Sequence, residues 1–388
     1  MKKKIIFVTE ALWIGGIETA LTNLLNRLDY EQYEVTCLIL RNVRTMAHRL
    51  PEQVRLLVAD RQDAVSFPQP YRYSRLYHLT EESANPSALH RAMMWAVPAI
   101  RWLENLLYIR YVRRNLGEER FDTCVIYSDR TAEVAARGIR ADRYLMFYHH
   151  GAMRREYHDE IGYRKAEKII TVSAVVAQKL RDYRPRYAHK VMAIHNLTDV
   201  DEIRRKAGEP VAEAFAADQF HIVSCGRVSP EKGMDLAVEA CARLVEMGYD
   251  HIHWWIVGGG PAEEEVREKI RQLHMEPYVT MLGMKNNPYP YINRADLYVQ
   301  PSRYEAFGLT IVEALVLGKP IIATDTDGAL ELRDTYLFGQ LILTDKESIA
   351  QRVYEFMERP VTQCAMTDET EHLSRMNENG LAIFCSML

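Results

Sequence analysis

The chain has 388 residues, 48% of them hydrophobic and 26% charged, with a formal net charge of −4. That length is too great for one compact core and fits two domains. With no low-complexity tract, no repeat and no uninterrupted apolar run of about twenty residues, neither a solenoid nor a spanning helix is expected. Lys2-Lys3-Lys4 leads straight into a strand-like run, without the apolar stretch and cleavage site of a secretion signal. Six scattered cysteines (Cys37, Cys124, Cys225, Cys241, Cys364, Cys385) form no C-x-x-C pair. They suit reduced thiols in a cytoplasmic protein and give a zinc site no support. The charge is unevenly divided. Residues 1–190 hold 31 Lys and Arg against 22 Asp and Glu, and the remainder holds 18 against 31, so the halves carry +9 and −13. A basic front half implies an anionic partner; no nucleic-acid motif accompanies the charge.

In chain order, strands are expected over 4–9, 33–40, 121–127, 144–148 and 168–173, with a helix over 17–28. Gly15 and Gly16 follow the first strand. Such a pair lets backbone approach a phosphate or a sugar, or makes an ordinary strand-to-helix turn. Glu18 reads as a first-turn dipole residue. Residues 41–90 hold several Pro and Tyr with little periodicity and read as an insertion of loops and short helices. Pro98 to Leu116 reads as one helix with Pro at its first position and Gly117 as its cap. Arg110, Arg113 and Arg114 fall in its last turns, and Trp95, Trp102, Leu106, Ile109 and Tyr111 give it aromatic and apolar content. This is either an interfacial membrane helix or a core helix whose basic end complements its dipole. His149 and His150 end the strand that closes at Tyr148.

The second half repeats the theme, with strands expected over 220–224, 253–257, 278–282, 297–300 and 320–324. Strand–helix alternation in both halves implies two doubly wound α/β domains, with ligands at the carboxyl ends of their strands. The richest stretch runs from Pro301 to Ala323. Glu305 falls in the loop after a short strand, and Glu313 about one turn inside the helix that follows. Between them the amides of Phe307, Gly308, Leu309 and Thr310 point out of the helix start and offer a seat for a phosphate. Gly318 caps that helix, with Pro320 beyond it. Asp325-Thr326-Asp327 has the D-x-D form of a metal-binding pair. From Arg359 onward no long amphipathic helix is evident.

The Glu305–Glu313 segment resembles the E-x7-E signature of the retaining "group 1" glycosyltransferases, which have the two-Rossmann GT-B fold. Four further landmarks stand in that family's order: Ile5 to Thr9 with Gly15-Gly16-Ile17-Glu18, Cys225 to Gly233 (similar to its G-R-x-x-x-x-K-G loop), Trp255 to Pro261, and Val279 to Gly283. Ile194 to Asp199 looks like the family's interdomain connection. The resemblance covers about residues 3 to 345. It implies an acceptor domain at 1–195, a nucleotide-sugar domain at 196–358 and an atypical tail at 359–388.

The resemblance also assigns roles. Glu305, His150, Arg227 and Lys232 would be catalytic. Gly15, Gly16, Arg227, Lys232, Glu305, Phe307, Gly308, Leu309 and Glu313 would bind the donor. Arg227 and Lys232 would face the diphosphate, Glu313 the ribose and His150 the transferred sugar. In that family the position of Asp325 to Asp327 precedes a glycine turn that faces the donor sugar, here Gly328 with Glu331 after it. With two cations already at the phosphates, no metal and no cofactor is expected. Retaining glycosidases place two carboxylates about 5 Å apart across the scissile bond. With Glu313 on the ribose no such pair brackets the anomeric carbon, which points to front-face attack. The donor would be UDP- or GDP-linked, and the acceptor a glycan or a lipid-linked glycan. The anionic partner would be a membrane surface or a lipid phosphate, not nucleic acid. A nucleotide-sugar epimerase and a non-catalytic nucleotide-binding protein are the competing readings.

Overall fold

The structure, a computed structural model, describes the chain except for residues 60–87, 152, 154–159, 337–339, 343–344 and 360–365. Two wholly parallel sheets carry it. The first has seven strands in the order β3-β2-β1-β4-β5-β6-β7: β1 Lys3–Thr9, β2 Tyr33–Ile39, β3 Arg55–Val58, β4 Arg120–Ile126, β5 Arg140–Tyr148, β6 Lys168–Thr171 and β7 Val191–Ala193. The second has six, β10-β9-β8-β11-β12-β13: β8 Phe220–Cys225, β9 Ile252–Val257, β10 Val279–Gly283, β11 Leu297–Gln300, β12 Ile321–Thr324 and β13 Gln340–Ile342. In each sheet the order reverses beside the first strand, between β1 and β4 and between β8 and β11. The strand ends open there into a crevice.

The sequence explains this topology. Ile5, Ile6, Phe7 and Val8 are all fully buried, the continuous apolar run of a strand covered on both faces by helices. In the second sheet Trp254 donates through Nε1 to Ser224 Oγ at 3.0 Å, and Ser224 Oγ donates to the Val299 carbonyl at 2.7 Å. The polar atoms of that core are thereby satisfied.

Six helices matter to the site: α1 Gly16–Leu25, α2 Ala88–Leu116, α3 Ala174–Tyr183, α4 Leu309–Val316, α5 Asp327–Tyr336 and α6 Met366–Ser386. All ten expected strands are present, and β3, β7 and β13 are additional; at three or four residues each they are too short to show a period. The helix expected from Pro98 begins instead at Ala88 and runs through Pro98, and Gly117 caps it with φ +55°. Of the insertion expected over 41–90, residues 60–87 lie outside the described ones.

The expectation for the tail needs correction. From Met366 to Ser386 the chain forms a helix that returns to the first domain. Its inner face is Leu373, Asn377, Gly380 and Phe384, at helical spacing and buried. Asn377 pairs with the backbone of Thr198 in both directions, its side-chain amide donating at 2.9 Å and its carbonyl accepting at 3.1 Å. A Cβ on Gly380 would stand 3.3 Å from Ile194 Cγ2, and the Phe384 ring meets Phe7 and Phe147. One amide and one glycine on the buried stripe hide its amphipathic character.

Candidate active site

The cleft is walled by the carboxyl ends of both sheets. On the second-domain wall Lys232 Nζ meets Glu305 Oε2 at 2.6 Å, and Ser302 Oγ donates to the same oxygen at 3.3 Å. Two loops are thereby joined, the one after β8 and the one after β11. Arg303 staples them a second time. Its guanidinium reaches Asp235 at 2.8 and 2.6 Å, and its amide donates to the Glu231 carbonyl at 2.8 Å. α4 opens on Gly308, held at φ +91°, ψ +54°. That left-handed residue opens the helix, whose first amides have no intrahelical acceptor. They stand ahead of Ile311 and Val312, the first to donate back to the Gly308 carbonyl. Glu313, one turn in, is 7% exposed. Burial pushes its pKa up to about 7, against the opposing influence of Tyr289 and Arg49. Its described hydrogen-bond partner is the Tyr289 hydroxyl, donating at 3.4 Å.

The first-domain wall lies close by. A Cβ on Gly16 would stand 3.5 Å from Leu309 Cδ1, and one on Gly15 would stand 3.9 Å from Arg227 Nη2. One on Gly151 would meet the Ala306 amide nitrogen at 3.1 Å. The glycine loop after β1 and the turn after β5 thus face the Arg227 loop and the Glu305 loop. Of the residues expected at the site, Gly15, Gly16, Arg227, Glu305 and Leu309 stand on segments that face each other here, and Lys232 joins them through Glu305.

The two histidines differ. His150 Nε2 sits 3.1 Å from Asp129 Oδ1. Asp129 is buried, which raises its pKa, but the adjacent His150 outweighs this and leaves it below the ordinary carboxylate value. His149 stacks on Phe147; its Nε2 is buried without a hydrogen-bond partner. Burial, with His150 beside it, lowers its pKa to about 4 and keeps the ring neutral.

Asp327 and Glu331 serve the junction between domains. Asp327 pairs with Lys179 of α3 at 2.5 Å. Glu331 accepts from the Ala174 and Val175 amides, both at 2.9 Å, and pairs with His195 Nε2. The carboxylate of α5 therefore caps α3 from the opposite domain, a geometry that the glycine turn expected to face a donor sugar did not suggest. Sequence reasoning also passed over Asp129, Arg303 with Asp235, and the setting of Glu18. Asp129 carries no motif; Arg303 lies within the stretch from Pro301 to Ala323, where nothing marks it apart from its neighbours.

Residues 207–381 match the family of glycosyl transferases group 1. A Campylobacter jejuni N-acetylgalactosaminyltransferase acting on a diphospho-undecaprenol-linked sugar is 32% identical over 160 residues, 41% of this chain and 42% of the relative. The lipopolysaccharide core mannosyltransferase LpsB of Rhizobium meliloti is 31% identical over 197 residues, 47% and 50% of the two chains. The chain therefore spans about half or less of the length of these curated relatives. By structure, all of the chain superposes on all of Anabaena HepE, solved with UDP and glucose, with a TM-score of 0.70 and 18% identity. Sucrose-phosphate synthase from Thermosynechococcus elongatus gives 0.71 at 15% identity, over 99% of this chain and 98% of that one. The fold is GT-B.

Proposed function

We propose that the protein is a retaining glycosyltransferase that moves a sugar from a UDP- or GDP-linked donor to a glycan or lipid-linked acceptor in polysaccharide assembly. The observation that carries this reading is the approach, across one cleft, of the Gly15–Gly16 loop to Arg227 and to Leu309 at the start of α4, beside the Lys232–Glu305 pair. The relatives' named activities, transfer of N-acetylgalactosamine and of mannose in envelope glycans, agree with it. Nothing in these likenesses favours an epimerase or a non-catalytic protein.

The chemistry follows from charge. As the bond from the anomeric carbon to the phosphate oxygen breaks, negative charge grows on the diphosphate. Arg227, Lys232 and the α4 amides stand preorganised to receive it, and one such fixed contact is worth about 3 kcal/mol. Glu305, held by Lys232 and Ser302, orients sugar hydroxyls, and His150, steadied by Asp129, meets the sugar from the other wall. Glu313 lies deep in α4 and cannot act beside Glu305 as a second carboxylate across the scissile bond. The acceptor oxygen therefore approaches from the face that the phosphate leaves, passes its proton to the departing phosphate oxygen, and keeps the anomeric configuration. The cations supply the charge compensation that a metal would otherwise give, and Asp327 is engaged by Lys179. A saturation-transfer screen against UDP-, GDP- and ADP-sugars, followed by proton NMR of the product's anomeric configuration, tests the reading. An inverted product, or no binding across the panel, would sink it.

A second reading concerns location. On α2 the face with Ile109, Val112 and Leu116 is buried, while Trp102, Leu103 and Leu107 are 55%, 50% and 50% exposed. Arg110 and Arg114 are exposed on the same helix. Arg113 instead donates to the Arg137 carbonyl at 2.7 and 3.0 Å; the side chain of Trp95 lies outside the described ones. One face of this helix is therefore core, and the other is exposed. Among the described residues no helix is long and apolar enough to cross a membrane. We propose reversible attachment of this face to an anionic membrane at its cytoplasmic side, each Lys or Arg near the surface contributing on the order of 1 kcal/mol. Sedimentation with anionic vesicles at low salt should fall when Arg110 and Arg114 become Gln; equal recovery with neutral vesicles would end the idea.

A further inference from the structure

The first domain brings to the donor cleft a group that the mechanism above leaves unused. Glu18 stands at the third position of α1, and its carboxyl folds back over the helix start. Oε2 lies 2.7 Å from the place a Cβ on Gly15 would take. Gly15 itself is extended, φ −171°, ψ +166°, a conformation any residue adopts. The carboxyl of Glu18 lies over it, in the space a side chain at 15 would enter. Arg227 Nη2 lies 3.9 Å from the same point, so the acid stands where the glycine loop and the phosphate-binding guanidinium face each other. Glu18 is 8% exposed.

The charged and titratable groups that face it are Arg227, Glu10 from the end of β1 and Tyr127 from the end of β4. Burial raises its pKa to about 7; its own backbone amide and Arg227 oppose the rise, and Glu10 adds to it. A diphosphate entering this space would set a second anion beside the carboxylate, in a setting where neither is well solvated.

We infer that Glu18 is a charge gate for the donor: a diphosphate settles between Gly15 and Arg227 with the Glu18 carboxyl neutral, so that binding draws one proton from solvent onto this residue. The neutral carboxyl then donates its O–H to a ligand oxygen. This rests on the donor reading above and deepens it by naming where the first domain senses the donor's charge.

The test uses UDP-glucose and GDP-mannose, whose diphosphate diesters keep a constant charge between about pH 6 and 8.5. Titration calorimetry at about pH 8 in two buffers of different ionisation enthalpy should show proton uptake by the wild type. Affinity should fall by as much as roughly tenfold per pH unit above about pH 7. Glu18→Gln should lose that uptake, flatten the profile and bind more tightly than the wild type at about pH 8.5. Glu313 titrates alike in both proteins, so the difference between them belongs to Glu18. Should Glu18→Gln fail to fold, Glu18→Met, neutral and of similar length, gives the same readout. An unchanged pH slope in the variant, or weaker binding at every pH, makes Glu18 a structural cap and overturns the inference while the donor reading stands. If the wild type binds no nucleotide sugar, the donor reading falls and takes the inference with it.

Discussion

The two walls of the cleft carry the opposite sign to the halves of the chain that build them. The basic first half, at +9, brings Glu18 and Asp129 to the cleft. The acidic second half, at −13, brings Arg227 and Lys232. Bulk charge acts over the outer surface within a Debye length of about 10 Å; a site is set by the few groups that the strand ends aim inward. The second wall is built to hold an anion and is braced by Arg303 and the Lys232–Glu305 pair. The first is built of acids and imidazoles, whose protonation decides what they accept or donate. Binding of the diphosphate should therefore rest on fixed charge at the second wall and on protonation at the first.

The hardest blow to that division is on the cationic side. Arg227→Ala or Lys232→Ala should lower transfer about a hundredfold or more, in steady-state assays with saturating acceptor. Near-normal turnover in both would remove the phosphate role. Glu313→Ala should weaken binding of UDP or GDP by about ten- to a hundredfold, the range for hydrogen bonds to a charged group. Unchanged affinity would show that Glu313 does not hold ribose.

The same residue gives a pH test. Its folded pKa, about 7, is above the ordinary carboxylate value, so the folded state keeps a proton that the unfolded chain releases. Stability from this source is present below the unfolded pKa and is lost as pH rises toward about 7. Glu313→Gln should flatten the decline of Tm with pH over that window; Glu18 contributes with the same sign and leaves a residual slope. On the opposite wall, His150→Ala should lower turnover about tenfold, the loss of one hydrogen bond, with nucleotide affinity intact. A parallel loss of nucleotide affinity would erase the distinction between the walls. The smallest effect is expected from chelation: transfer should persist in EDTA. Loss of activity restored by Mg²⁺ or Mn²⁺ would instead promote Asp325 and Asp327 to ligands.

The second wall was legible in the sequence because its chemistry is contiguous. Arg227 and Lys232 lie on one short loop, and Glu305 to Glu313 spans a single turn and helix start, so local pattern and function coincide. Of the first wall the resemblance picked out His150, Gly15 and Gly16, but not Asp129 or the setting of Glu18. Asp129, His150 and Glu18 come from three separate connections, and nothing local says where their side chains lie relative to one another. Glu18 at the third position of a helix reads the same whether it caps the helix or faces a cleft. Gly15 reads as a phosphate-approach or turn residue, and nothing local shows that the Glu18 carboxyl, three residues on, folds back over its extended backbone. The same limit concealed α6, whose buried stripe uses Asn377 to satisfy the Thr198 backbone and Gly380 to let Ile194 approach.

That last contact has a mechanical consequence. The chain crosses from the first sheet to the second before Val200, and Asn377 of α6 laces that returning helix to Thr198 on the crossing. A crossing fastened to a helix in this way acts as a pivot, about which relative motion of the domains is a swing. Glu331, gripping the start of α3 and His195 beside that pivot, works on a short arm. Gly15 and Arg227 stand out along the cleft on a longer one, where a small rotation at the lacing becomes a large change of gap.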